Sequence, residues 1–160
     1  MAVTKSKDLR DVFADVVDNM VIVLNNYNKR PDKDLRLAVA KVTEDDAVEV
    51  GKFPIIGVEY VGHTEETLSL GRQAVKIMLN MTVNIWYYHE ALMASEKKSE
   101  INRALGTIRA IILENRTINN FSLSSKIVGS LVRPRNKDGS WISAGVVAVE
   151  VEKIVRQNIT

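Results

Sequence analysis

The sequence predicts an α+β fold: a mainly antiparallel sheet with long strands and two helices packed on one face. Three observations predict it. The stretch from Ala74 to Tyr88 alternates cleanly, with Val75, Ile77, Leu79, Met81, Val83, Ile85 and Tyr87 on one side. That period of two marks a β-strand with one buried face. Two other segments, 6 to 27 and 96 to 115, carry apolar residues at helical spacing. Helical and extended segments are segregated along the chain rather than alternating, which favours α+β over a parallel α/β sheet.

The first helix rests on Leu9, Val12, Phe13, Val16, Val17, Met20, Val23, Leu24 and Tyr27, one broad stripe. Thr4 or Ser6 can cap it, and Asp8 suits the positive helix end. Asn28 to Asp34 reads as a polar turn around Pro31, and the alternation of Leu35, Leu37 and Val39 predicts a strand over 35 to 42. Thr43 to Lys52 is acidic and reads as a loop. Phe53 to Val61 is strand-like, and Gly62-His63-Thr64-Glu65-Glu66 reads as a turn before the long strand. At roughly 3.3 Å per residue the 74 to 88 strand spans about 50 Å, more than the roughly 40 Å diameter of a compact domain of this length. It must bend round the body or project from it, and a projecting strand needs covering. The second helix, 96 to 115, has Ser95 or Ser99 as its cap and Ile101, Ala104, Leu105, Ile108, Ile111 and Ile112 as its stripe. A loop over 116 to 124, a strand over 125 to 133, an Asp-Gly turn within 134 to 140 and a long strand over 141 to 155 complete the chain.

The length of 160 residues predicts a single domain over 1–160. The apolar share of 46% and charged share of 26% are those of a globular protein. With no cysteine, disulfides and thiolate chemistry are excluded. No apolar run follows Met1-Ala2-Val3-Thr4-Lys5, so no signal peptide is expected. The longest apolar run, Ala144 to Val149, is too short to span a bilayer, so no membrane partner is expected. The net charge of +2 is too small to argue for nucleic acid.

A search for chemistry is negative. There is no phosphate loop and no nucleophile elbow. His63 and His89 stand in no ligand pattern and at opposite ends of the long strand, so they cannot share one compact site. Glu65 and Glu66 are adjacent and point in different directions, a poor arrangement for paired carboxylates. The acidic stretch Glu44, Asp45, Asp46 and Glu49 lacks the spaced ligands and pivoting glycine of a calcium loop. No enzyme, cofactor or metal is expected.

Candidate interface residues remain. The second face of the long strand carries one charge, Lys76, and ends in Trp86 and Tyr88, which suits either a protein contact or a covering layer of the same domain. Arg133, Arg135 and Lys137 lie beside Pro134 and an Asp-Gly turn, at the expected tip of the terminal hairpin, where few neighbours can pair them. They suit either a solvated turn or a docking tip for an acidic surface, with a protein partner favoured over DNA.

This order of elements — helix 6 to 27, strand 74 to 88, helix 96 to 115, hairpin 125 to 155 — resembles the tail terminator proteins of long-tailed bacteriophages, the group that includes the lambda terminator. The resemblance is architectural and carries no short motif. It implies a structural virion protein of the tail or neck, present in the host cytoplasm during assembly, forming a hexameric ring of copies of itself. Such a ring caps the tail tube, stops its elongation and joins it to the head. The implied partners are the tail tube protein and a head-completion or neck protein, with DNA passing through the ring. A head-completion connector, or a small ligand-binding or enzymatic α+β domain, are the alternatives.

Overall fold

The computed structural model describes residues 9–29, 35–49, 51–72, 74–89 and 95–158. The first helix, α1, spans Leu9–Asn26 and buries Val12, Val16, Val17, Met20, Val23 and Leu24. These are the stripe residues, and they lie against the sheet. The proposed caps Thr4 and Ser6, with Asp8, fall outside the described residues, as does the turn around Pro31. The second helix, α2, spans Ser95–Glu114. Ser99 therefore lies inside it and does not cap it.

The main sheet has five strands in the order β1-β2-β3-β7-β4. They are β1 (Lys41–Glu44), β2 (Ile55–Leu70), β3 (Ala74–Tyr88), β4 (Ser124–Val132) and β7 (Ala144–Asn158). All neighbours pair antiparallel except β1 with β2, which are parallel. Strand β3 has the bounds read from its alternation, and β7 pairs with it from Ala74↔Asn158 to Tyr88↔Ala144. The long strand is thus flanked along its length by two others at least as long. A small second sheet joins β5 (Arg135–Lys137) to β6 (Ser140–Ile142). Asp138 (φ 50°) and Gly139 (φ 81°) make its turn, both in the left-handed region that a tight hairpin requires.

Both helices cover the same face. One apolar core joins α1 and α2 to Ile77, Leu79, Met81, Val83, Ile85 and Tyr87 of β3 and to Val147, Val149 and Val151 of β7. Gly145 lets α2 approach closely: a Cβ there would lie 2.7 Å from Ile101 and 2.8 Å from Leu105. On the opposite face, at one end of the sheet, Trp86, Tyr88, Val48, Ile55, Ile142 and Ala144 form a second, smaller cluster.

Four readings of the sequence need correction. The strand predicted over 35 to 42 begins at Lys41 and runs to Glu44. Leu37 and Val39 are buried as the alternation required, but their backbone bonds go elsewhere. Leu37 N–H donates to Tyr27 O, and the Asn28 side chain bonds both the N–H and the C=O of Val39. The acidic stretch from Thr43 is no continuous loop: Thr43 and Glu44 close β1, and Asp45–Ala47 form a 3-10 turn with Asp45 buried. Gly62 to Glu66 is no turn. Strand β2 runs through it, with bulges between Tyr60 and Gly62 and between Thr67 and Ser69. Pairing with β3 overrides a composition that reads as a turn. Lastly, the strand predicted over 141 to 155 is broken at Ser143, where β6 ends and β7 begins.

Candidate functional site

The cations expected at a bare hairpin tip are largely inside the fold. The β5–β6 hairpin turns back over the end of the main sheet and presents Arg135 and Lys137 to Asp45. Arg135 Nη1 donates to Asp45 Oδ2 and to the Tyr88 hydroxyl, at 2.8 Å each. Its Nη2 donates to Glu59 Oε2 at 2.7 Å. The guanidinium lies 4.2 Å from the centroid of the Trp86 ring, a cation–π contact. Lys137 Nζ donates to the Asp45 backbone oxygen at 2.8 Å and lies 3.0 Å from Oδ2.

Asp45 is only 3% exposed, so its charge must be paired to be tolerated. Tyr88 donates its hydroxyl proton to Asp45 Oδ1 at 2.5 Å. Burial, and then the bond to Asp45, push the Tyr88 phenol well above its usual range. It stays neutral, able to donate to Asp45 while accepting from Arg135. Trp86 donates Nε1–H to Glu59 Oε1 at 3.2 Å, and its ring stacks on Tyr88 at 6.1 Å. Gly57 makes room for the network, since a Cβ there would lie 2.5 Å from Asp45 Oδ1. The two carboxylates and two cations balance, and the result is a clamp that fastens the hairpin to the sheet.

The structure therefore brings together Arg135, Lys137, Trp86 and Tyr88, and leaves Arg133 apart and exposed at the end of β4. It overturns the expectation that these cations lack internal partners. It also overturns Trp86 and Tyr88 as a free aromatic surface, since they are 7% and 0% exposed. Only this end of the second face has a covering layer from the same chain; from Ala74 to Asn84 its residues are half-buried or exposed. The exposed aromatic is Trp141 of β6, at 67%. Sequence reasoning missed Asp45 and Glu59. One signal existed: a cation cluster needs carboxylates, and the acidic stretch was the obvious supply.

The histidines are engaged separately. His63 Nδ1 lies 2.6 Å from the Tyr60 hydroxyl and Nε2 lies 3.0 Å from Glu65, and its ring tilts against Phe13. Burial and the Glu65 charge raise the Tyr60 phenol. His89 Nε2 lies 2.8 Å from Glu100. His63 sits opposite Met81, part-way along β3 and not at its end. His89 is eight positions further along the chain than Met81, about 26 Å at strand rise, so the two serve no common site. Among the described residues no group of three His, Asp or Glu side chains could hold a metal ion.

The sheet has two open edges. Strand β1 pairs with β2 only over Ile55 to Val58, so from Glu59 to Leu70 no strand lies on that side of β2 among the described residues. Among the described residues strand β4 pairs only with β7 and forms the other edge. Thr64 to Leu70 are all exposed, on both faces of the strand. No known protein family matches this chain, and neither does any curated protein.

Proposed function

We propose that this chain is a ring-forming structural subunit of a bacteriophage tail: a terminator that caps the tail tube, stops its growth and joins it to the head. The observation that carries the reading is the pair of edges left open, among the described residues, on a sheet of unusually long strands. Strands β2, β3 and β7 have 16, 15 and 15 residues, against a usual length of about 5–6. An edge left bare over such a length is an invitation to pair. A subunit that leaves two edges open and is completed by copies of itself on both sides makes a head-to-tail contact, which gives a ring when the rotation between copies closes. The resemblance in element order supplies the number, six, and the partners: a tail tube protein below, a head-completion protein above, and DNA passing through.

Electron micrographs of the purified protein, alone and mixed with the tail tube protein of the same virus, test the reading. Hexameric rings, free or seated on tube ends, are the expected result. Monomers at high concentration together with no association with tubes overturn it.

A further inference from the structure

We propose that strand β4 of one copy adds to the open edge of β2 of the next, with Lys126 set opposite Glu66, so that the ring is a continuous antiparallel sheet. The inference rests on the ring-subunit reading and specifies how copies join. Four observations converge on it.

The first is direction. Strand β2 is antiparallel to β3, β3 to β7, and β7 to β4, so β2 and β4 run in opposite senses. Two copies set side by side in the same orientation then bring β4 and β2 together antiparallel, with no reorientation of either. The second is length. Strand β4 has nine residues, and the free edge from Glu59 to Leu70 accommodates all of it.

The third is chemistry. Beyond Glu59, which Arg135 already pairs, the free part of β2 carries Glu65 and Glu66 and no Lys or Arg, while β4 carries Lys126, with Arg133 just beyond, and no Asp or Glu. An acidic edge faces a basic one. Each edge also exposes large apolar side chains where a solvated edge would carry charges. Val61 and Leu70 are 53% and 79% exposed on β2, and Val128 and Leu131 are 61% and 58% exposed on β4.

The fourth is register. Lys126 pairs across the sheet with Glu150, and Glu150 with Thr82, so Lys126 points to the face away from the helices. Glu66 pairs with Met78, which alternates with buried Ile77 and Leu79 and so points to that same face. Opposed side chains in one sheet must share a face. Lys126 can therefore oppose Gly62, Thr64 or Glu66, and charge selects Glu66. The β2 segment between its two irregularities, Gly62 to Thr67, is regular, and so is Ser124 to Ile127 before the irregularity in β4. In the register with Lys126 on Glu66, Ser125, Lys126 and Ile127 face Thr67, Glu66 and Glu65, inside both regular segments, and Ser124 meets the irregularity at Leu68.

Because the chain has no cysteine, disulfide trapping tests the contact directly. Opposed Cα atoms in an antiparallel pair lie about 4.5–5.5 Å apart, within disulfide range. Glu66→Cys and Lys126→Cys are both at exposed positions. Mixed and mildly oxidised, the two single variants should give a heterodimer in at least about tenfold excess over the homodimer of either alone. The double variant should give a ladder of covalent oligomers. The charge reversal Glu66→Lys should raise the concentration for half-assembly about fivefold, and adding Lys126→Glu to the same chain should restore it. Homodimers in place of heterodimers, or no disulfide where micrographs still show rings, overturns the edge contact and leaves the ring standing. No disulfide and no rings overturns both.

Discussion

Asp45 shows how little a residue's neighbours in sequence say about its role. It stands between Glu44 and Asp46 in a stretch that reads as solvated loop, yet it is buried and holds Tyr88, Arg135 and Lys137. Removing one member of such a buried pair leaves the other charge uncompensated. Arg135→Ala should destabilise the fold by about 3 kcal/mol, the low end of the range for a broken buried pair because the arginine retains some exposure. Denaturant unfolding of the variant measures it, and an unchanged midpoint would mean the clamp contributes nothing. The same network has a pH signature. Tyr88, Tyr87 and Tyr60 all have phenols raised by burial. In the unfolded chain each ionises near the ordinary value of 10.0, while the folded protein keeps the proton. The folded state then binds more protons, so stability is whole below that pH and falls as pH rises above it. Unfolding followed between about pH 9 and about pH 11 should show the decline, and Tyr88→Phe should flatten it. Four of the five residues singled out in the sequence meet here, but as an internal cluster and not as the two exposed surfaces the sequence suggested. Their partners were not legible, because no local pattern records that a hairpin folds back onto the sheet.

Elements whose burial is periodic were legible nearly to the residue. Strand β3 has the bounds its alternation implied, and both helices lie within a few residues of their stripes. Elements held by pairing rather than by burial were not. The outer half of β2 is polar on both faces and signals a turn, and only its hydrogen bonds to β3 make it a strand. The stretch around Leu37 fails in the opposite way, buried in alternation but bonded to Tyr27 and Asn28 instead of to a strand. Helix packing on the sheet can be tested at two points. Gly145→Ala would drive a methyl group to within 2.8 Å of Leu105, an overpacking that costs about 1–3 kcal/mol. A full-stability Gly145→Ala protein would mean that α2 sits further from β7. Val16, 0% exposed, should not accept an aspartate, since an unpaired charge would enter the core. Circular dichroism of Val16→Asp should show an unfolded chain, and a folded one would remove α1 from the core.

At the scale of the whole molecule the fold class followed from periodicity and element order alone. One face of a mainly antiparallel sheet carries both helices, and among the described residues the other is covered at one end by the β5–β6 hairpin. Function is a different matter, because it was read from the architecture and not from a motif. What distinguishes the molecule is an incompleteness: long strands, bare edges of opposite charge, and exposed apolar side chains along them. We read that incompleteness as a subunit awaiting its neighbours. The clamp around Asp45 fits the same reading, since it holds the one folded-back element to the sheet and leaves both edges free. The mass distribution of the purified wild-type protein over a wide concentration range, alone and with tail tube protein, tests this most directly. The account predicts a closed hexamer with few intermediates, formed alone or on the tube. A monomer at every concentration, indifferent to the tube protein, would contradict it.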